Sequence, residues 1–93
     1  MAREANVEME TVAWAENNGW VARKMAYAGR RGCRDHDFYG FGRVVMVEFK
    51  RPGKGLDLHQ EKERKRLAEV GVKVHVIDNR DAGIALLQSF MGR

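Results

Sequence analysis

The sequence predicts a single α/β domain over residues 1–93, in which a small mixed sheet is flanked by helices. Three observations support this fold class. Segments with helical spacing stand at the start, in the middle and at the end of the chain, and short β-prone segments lie between them. Glycine or proline separates most neighbouring segments. The resulting order of elements is α-β-β-β-α-β-α.

The first half of the chain predicts one helix and three strands. Apolar residues recur at helical spacing over residues 3–17, and Gly19 marks the end of that helix. A strand follows over residues 20–27, where larger and smaller side chains alternate. After a loop, strands over residues 35–39 and 43–49 are joined by a tight turn containing two glycines, which predicts an antiparallel hairpin.

The second half predicts a helix, a strand and a last helix. Pro52 ends the third strand, because proline cannot continue the ladder. Asp57 is a suitable N-cap for a helix over residues 58–70, which a glycine then ends. A strand over residues 72–77 and a helix over residues 81–91 complete the domain.

Composition narrows the class of protein. The net charge of +4 favours an anionic partner, and nucleic acid is the first candidate. Cys33 is the single cysteine, which excludes an intramolecular disulfide and favours a reducing, cytoplasmic location. The sequence shows no signal peptide, and no apolar run is long enough to span a membrane.

The third predicted strand combines an apolar run with a charged end. Residues 44–47 are apolar and β-prone, as in a strand buried on both faces. Glu48 and Lys50 follow, and two-residue spacing places both side chains on one strand face, about 6.6 Å apart along it. For these two residues alone, an exposed ion pair is the better interpretation. When the rest of the chain is considered, Glu48 and Lys50 are better interpreted as a functional pair.

Asp35 adds a second carboxylate at the same place. It begins the second predicted strand, and a hairpin of this length places it across from the end of the third strand. With Glu48 and the carbonyl oxygen of Phe49, it would form a set of hard oxygen ligands suited to Mg²⁺ or Mn²⁺. The three histidines share no zinc-ligand spacing and are interpreted as ordinary residues, with substrate contact by His36 as the minority alternative.

A family resemblance rests on residues spread over most of the chain. They are Glu8, the segment Gly32-Cys33-Arg34-Asp35, the strand end Val45-Met46-Val47-Glu48-Phe49-Lys50, the following Arg51-Pro52-Gly53, then Gln60, and Gly71-Val72-Lys73-Val74. In this order and spacing they resemble a VRR-NUC domain, the small virus-type replication-repair branch of the PD-(D/E)xK nucleases. The resemblance runs from about residue 4 to residue 78.

The resemblance implies a restriction-endonuclease-like core and a Mg²⁺-dependent endodeoxyribonuclease, with Mn²⁺ as a substitute. Lys50 would stabilise charge or position the attacking water, and Gln60 would orient a water or a phosphate. The implied catalytic residues are Glu8, Asp35, Glu48, Lys50 and Gln60, and the implied metal ligands are Glu8, Asp35, Glu48 and the carbonyl of Phe49.

Two ligand positions stay open. The family usually has Gly-x-Pro-Asp, and Arg34 stands here in place of the proline. Asp37 shares a strand face with Asp35 and therefore competes with it for the ligand role. The helix acid is also open. The resemblance implies an acid about three turns before the helix-ending glycine, which favours Glu8, and the other candidates are Glu4, Glu10 and Glu16.

Two basic loops would border this site and bind DNA phosphates. Their residues are Arg30, Arg31, Arg34, Arg51 and Lys54. The mixed charges of residues 61–69 are interpreted instead as a solvated helix face.

No base-reading module is visible, which favours recognition of DNA shape. Stand-alone family members resemble Holliday-junction resolvases of phage or bacterial origin, and a homodimer would match the two-fold symmetry of a four-way junction. The alternatives are a flap or duplex-nicking nuclease and a catalytically silent DNA-binding module. Apolar residues expected to be exposed at the dimer contact are Trp14, Leu86, Phe90 and Met91.

Overall fold

The structure is a computed structural model, and it describes residues 4–25, 35–50 and 58–92. Its elements are α1 (Glu4–Glu16), β1 (Val21–Lys24), β2 (Asp35–Gly40), β3 (Arg43–Phe49), α2 (Leu58–Glu69), β4 (Val74–Ile77) and α3 (Arg80–Gln88). The predicted order of elements is confirmed, and so is the α/β fold class. No helix in these ranges is long and apolar enough to cross a membrane.

The four strands form one mixed sheet in the order β1-β2-β3-β4. Neighbours are antiparallel from β1 to β3, whereas β3 and β4 are parallel. Parallel strands need a crossover connection, and α2 lies within it. The carboxyl ends of β3 and β4 therefore meet at one edge of the sheet. That edge is where the sequence predicts the functional pair.

The core lies on one face of the sheet, beneath α1 and α3. An added Cβ at Gly83 of α3 would lie 2.9 Å from the Thr11 side chain of α1, so the absence of a side chain lets the two helices approach closely. The buried apolar residues of this core are Val7, Ala15, Trp20, Ala22, Phe38, Val45, Val47, Phe49, Ile77 and Leu87.

The second helix lies against the opposite face of the sheet. Val74 and Ile77 of β4 are both buried, and their three-residue spacing points them to opposite faces. Ile77 belongs to the core under α1 and α3. Val74 instead lines a cavity with Arg64 and Ala68 of α2. The sheet is thus flanked by helices on both faces, as predicted.

The fourth strand begins two residues later than predicted. The backbone N–H of Val72 donates to the carbonyl of Leu67, 2.9 Å away, and that of Gly71 donates to Ala68. These two bonds form the Schellman cap of α2. Val72 therefore closes the helix and is unavailable to the sheet ladder, which starts at Val74. The last helix ends at Gln88 rather than at residue 91, because successive short turns follow it.

The β2–β3 turn is also tighter than predicted. Gly40 still pairs with Arg43, so the turn consists of Phe41 and Gly42 alone. Both have positive φ angles, of 53° and 74°, as a two-residue hairpin turn of the favoured hand requires. A non-glycine residue is strained there. The Phe41 ring packs edge-on against Trp20, with ring centroids 5.1 Å apart, and this contact offsets the strain.

The apolar side chains assigned to a dimer contact are not exposed as expected. Trp14, Leu86, Phe90 and Met91 are partly buried and pack against the core. The expected exposure was wrong because these residues look unpartnered in sequence, whereas in the structure they pack against the core, and Phe90 also contacts His75 and Arg43. The most exposed large apolar residues that the structure describes lie elsewhere, at Val70, Leu58, Met9 and Val44.

Candidate active site

Asp35 and Glu48 are direct partners across β2 and β3. The two-residue turn fixes this register, because each residue before Phe41 pairs with one residue after Gly42. Directly opposed residues of antiparallel strands point to the same face of the sheet. The predicted juxtaposition of the two positions is therefore present. The role of Asp35 as a metal ligand stays a prediction.

Glu48 and Lys50 are both more than nine-tenths buried, at 4% and 8% exposure. Val47 and Phe49 point into the core under α1, so alternation places Glu48 on the opposite face. The backbone N–H of Lys50 donates to the carbonyl of Ile77, 2.8 Å away, and extends the pairing of β3 with β4 by one residue. These charges thus stand on rigid backbone at the sheet edge, and not on a mobile loop.

Two other predicted site residues lie in the described elements around this edge. Gln60 is in the first turn of α2 and is 8% exposed, so the alternative of a surface glutamine is excluded. The Phe49 side chain is in the core, so its carbonyl oxygen is the only group it could offer to a metal.

Glu8 lies on the α1 side of the sheet, near the start of β2. Its Oε2 is 3.4 Å from Lys24 Nζ and 3.9 Å from His36 Nδ1. Lys24 and His36 are cross-strand partners and share the core face of the sheet. His36 is the second residue of β2, so Glu8 is at the same end of the sheet as Glu48, although it approaches from the other face.

The sequence analysis interpreted His36 as an ordinary residue, and the structure places it near Glu8. It is buried, with its ring stacked on Phe38 and edge-on to Phe49. Burial lowers the pKa of His36 below its ordinary value, and the nearby Glu8 opposes that shift. Its burial could have been predicted from its position, because the residue after Asp35 on β2 lies on the core face of the sheet. No local pattern connects it to Glu8, which is distant in sequence.

Asp37 occupies the next position of β2 on the same face as Asp35. It is 8% exposed, and its Oδ2 accepts a hydrogen bond of 2.9 Å from the hydroxyl of Tyr39. That hydrogen bond is the main reason why the pKa of Tyr39 lies above its usual value. Within the described residues, Oδ1 of Asp37 is buried without a hydrogen-bond partner. Asp37 therefore remains a competitor of Asp35.

Both basic loops fall outside the residues that the structure describes, and so does the side chain of Asp35. The predicted DNA-binding residues in those loops are Arg30, Arg31, Arg34, Arg51 and Lys54. Their proximity to Glu48 stays a prediction. The proposed N-cap of α2, Asp57, lies outside as well.

The donors at the sheet edge fit a hard divalent cation. Carboxylates and a backbone carbonyl are the ligands that Mg²⁺ and Mn²⁺ prefer, and buried carboxylates favour a compensating cation. Among the described side chains, no three acids, histidines or cysteines form a ready metal-binding group. The predicted ligand set of Glu8, Asp35, Glu48 and the Phe49 carbonyl stays a prediction, because the side chain of Asp35 lies outside the described part of the structure.

The chain is similar to a curated phage protein and to a solved domain structure. The chain is 33% identical over 82 residues to "Putative nuclease p44" of Acyrthosiphon pisum secondary endosymbiont phage 1, covering 87% of this chain and 88% of that protein. It superposes on a "VRR_NUC domain" with a TM-score of 0.81 and 27% identity, over 95% of this chain and 97% of that one. No family model matches the chain.

The chain and this solved domain have the same fold, which confirms the restriction-endonuclease-like fold expected from the sequence. The curated relative is similar at a level that common descent explains, and the alignment spans almost the full length of both chains. The resemblance drawn from the residues is thereby confirmed, and the chain belongs to the VRR-NUC family of nuclease domains.

Proposed function

We propose that this chain is a Mg²⁺-dependent endodeoxyribonuclease that cuts branched DNA, with the four-way junction as its preferred substrate. The observation that carries the proposal is the buried pair Glu48 and Lys50, two residues apart at the end of β3 and opposite Asp35. A carboxylate and an ammonium group buried together at a sheet edge are costly to keep, and a phosphoryl-transfer site uses both.

The roles of the side chains follow from their charge and position. When bound, a divalent cation supplies Lewis-acid chemistry at the phosphate and an acidified water. Glu48 and Asp35 supply the negative charge that would hold such a cation at the sheet edge. The Lys50 ammonium stabilises the negative charge that grows on the phosphate during attack, and its rigid backbone holds it there in advance. Gln60 orients the attacking water or a phosphate oxygen.

The preference for branched DNA rests on symmetry and on the lack of a base reader. A domain of 93 residues with one sheet contains no helix-turn-helix or zinc module in its sequence to read base edges. Phosphate contacts alone carry no sequence information. A homodimer would present two sites related by a two-fold axis, which is the approximate symmetry of a four-way junction.

The test compares three labelled DNAs: a four-way junction, a flap and a linear duplex. Each is incubated with purified protein in Mg²⁺, Mn²⁺, Ca²⁺ or excess EDTA. We expect junction cleavage in Mg²⁺ and Mn²⁺, and binding with little cleavage in Ca²⁺, whose looser geometry suits binding better than catalysis. A Glu48→Gln variant keeps the shape of the side chain and should not cut.

Each other result has a defined meaning. Full cleavage in EDTA would contradict the metal requirement. If a flap or a linear duplex is cut as fast as the junction, the chain is a flap nuclease or a duplex-nicking nuclease instead of a junction resolvase. Binding without cleavage under every condition would assign the chain to catalytically silent DNA-binding modules.

A further inference from the structure

The environment of Glu8 points to a residue with a role that the proposed function leaves out. Among the described residues, both contacts to its carboxylate are made by one oxygen, Oε2. Lys24 reaches that oxygen from the exposed side, at 3.4 Å. His36 faces it from the core, with Nδ1 at 3.9 Å. Neither contact involves Oε1.

His36 is held in a fixed orientation by its neighbours. Its ring stacks on Phe38, with centroids 5.9 Å apart and planes 28° apart, and meets the edge of Phe49 at 5.6 Å. Its side chain is 7% exposed. The imidazole thus packs between core rings, and its Nδ1 faces Glu8 of α1.

The Nδ1 atom is the part of this arrangement that needs an explanation. It is buried and has no hydrogen-bond partner among the described residues. A buried polar atom without a partner costs roughly 1–3 kcal/mol. Glu8 Oε2 lies 3.9 Å from Nδ1, and an Nδ1–H would be attracted to that oxygen, whereas a lone pair on Nδ1 would be repelled by it. A shift of a few tenths of an ångström would bring the pair within hydrogen-bond distance, as happens when sites tighten around their ligands.

We propose that His36 is a positioning residue for Glu8: its Nδ1–H anchors Oε2 and leaves Oε1 to face the metal. This inference rests on the proposed function, because it assigns Glu8 to the metal site. Residues that orient a metal ligand in this way typically contribute 10- to 100-fold in metal affinity. Lys24 contributes less, since it is exposed and an exposed ion pair is weak.

The test measures Mn²⁺ affinity by paramagnetic resonance titration without DNA. His36→Phe keeps the aromatic packing and removes the donor. His36→Asn places an amide nitrogen near the position of Nδ1 and should restore the donor. His75→Phe is the matched control, because His75 is a partly buried histidine that contacts Phe90 and lies on β4, which β3 separates from the β2 strand of His36.

We expect His36→Phe to weaken Mn²⁺ binding about tenfold, with His36→Asn close to wild type and His75→Phe unchanged. In a Glu8→Gln background, His36→Phe should have no further effect. An independent measurement needs no variant: ¹⁵N shifts of the wild-type imidazole at pH 8 should show the Nδ1–H tautomer. If that tautomer is absent, or if His36→Phe binds Mn²⁺ like wild type, the positioning role is wrong.

The wild-type results separate this inference from the proposed function. Wild-type protein that binds Mn²⁺ and cuts DNA, with His36→Phe unaltered in affinity, would refute the positioning role alone. Wild-type protein that neither binds Mn²⁺ nor cuts DNA would refute the proposed function, and with it the assignment of Glu8 to a metal. A general loss of packing would instead lower the melting temperatures of His36→Phe and His36→Asn alike and would leave both with the same Mn²⁺ affinity, which also contradicts positioning.

Discussion

Lys50 is a buried basic residue at the end of the third strand of the described sheet, in which the acidic residues Glu48 and Asp37 are also buried. Lysine is almost never buried without a counter-charge or a task. Its backbone is tied to β4, and alternation places it on the face of Glu48. At the scale of single residues, the chemistry proposed here depends on that one ammonium group more than on any other.

Lys50→Ala should abolish cleavage of a four-way junction and leave junction binding largely intact. Losing one preorganised charge at such a site typically lowers the rate on the order of 10²–10³-fold. Cleavage is measured under single-turnover conditions, and binding by gel shift in Ca²⁺. Lys73→Ala is the control, because Lys73 is exposed just before β4. A near-wild-type rate for Lys50→Ala would remove Lys50 from the mechanism.

Asp35→Asn and Asp37→Asn should separate the two competing carboxylates. We expect Asp35→Asn to lose cleavage by on the order of 10² or more. Asp37→Asn should stay within a few-fold of wild type, since an asparagine carbonyl can still accept the Tyr39 hydroxyl. Both variants are compared in cleavage rate and in Mn²⁺ affinity. The reverse ranking would move the ligand role to Asp37.

At the scale of elements, β4 carries a titratable group on the core side. Burial is the main cause that lowers the pKa of His75, and Lys73 adds to it. The Phe90 ring lies edge-on to His75 at 6.3 Å, and the Arg43 guanidinium lies over the same ring at 5.2 Å. This small cluster joins β3, β4 and the turn after α3.

The depressed pKa of His75 makes the stability of this cluster dependent on pH. As the pH falls, His75 is protonated in the unfolded chain before it is protonated in the folded chain. The free energy of unfolding is therefore highest above about pH 6.5 and decreases as the pH falls below that value. We expect the melting temperature to drop between pH 7.5 and pH 5, and His75→Gln to reduce that drop. Calorimetry at several pH values measures it. An identical drop in the variant would assign the pH dependence to other groups.

At the scale of the whole molecule, we expect a homodimer that cuts two strands of a junction at symmetry-related positions. The small core of a 93-residue chain favours association, and two sites would match the junction. Light scattering at micromolar concentration gives the mass, and cut mapping on a mobile junction gives the symmetry. Binding should weaken steeply with salt if basic residues neutralise phosphates. The prediction of a homodimer is wrong if the protein is a monomer both in solution and on DNA and cuts junctions no faster than linear duplex.

The sequence was sufficient for those features that local rules determine. The pairing of Asp35 with Glu48 follows from alternation and a tight turn, both of which are visible in the residues. The start of β4 was predicted two residues too early, because Val72 suits both a strand and the cap of a helix. In the structure its backbone N–H caps α2. The contact between Glu8 and His36 could not be predicted, since it depends on how α1 is rotated against the sheet, which only tertiary packing decides.

The hydrogen bond from Lys50 to Ile77 can form only after β4 has docked beside β3. The β2–β3 hairpin is local and can form early, whereas a parallel pairing must first close a long loop, which is slow. Until β4 docks, Lys50 is not fixed beside Glu48, so a nascent or partly folded chain would hold an incompetent nuclease. Pulse-labelling hydrogen exchange should show the Lys50 amide protected after the amides of the hairpin. Simultaneous protection would mean that the edge carrying Glu48 and Lys50 folds together with the hairpin as one unit.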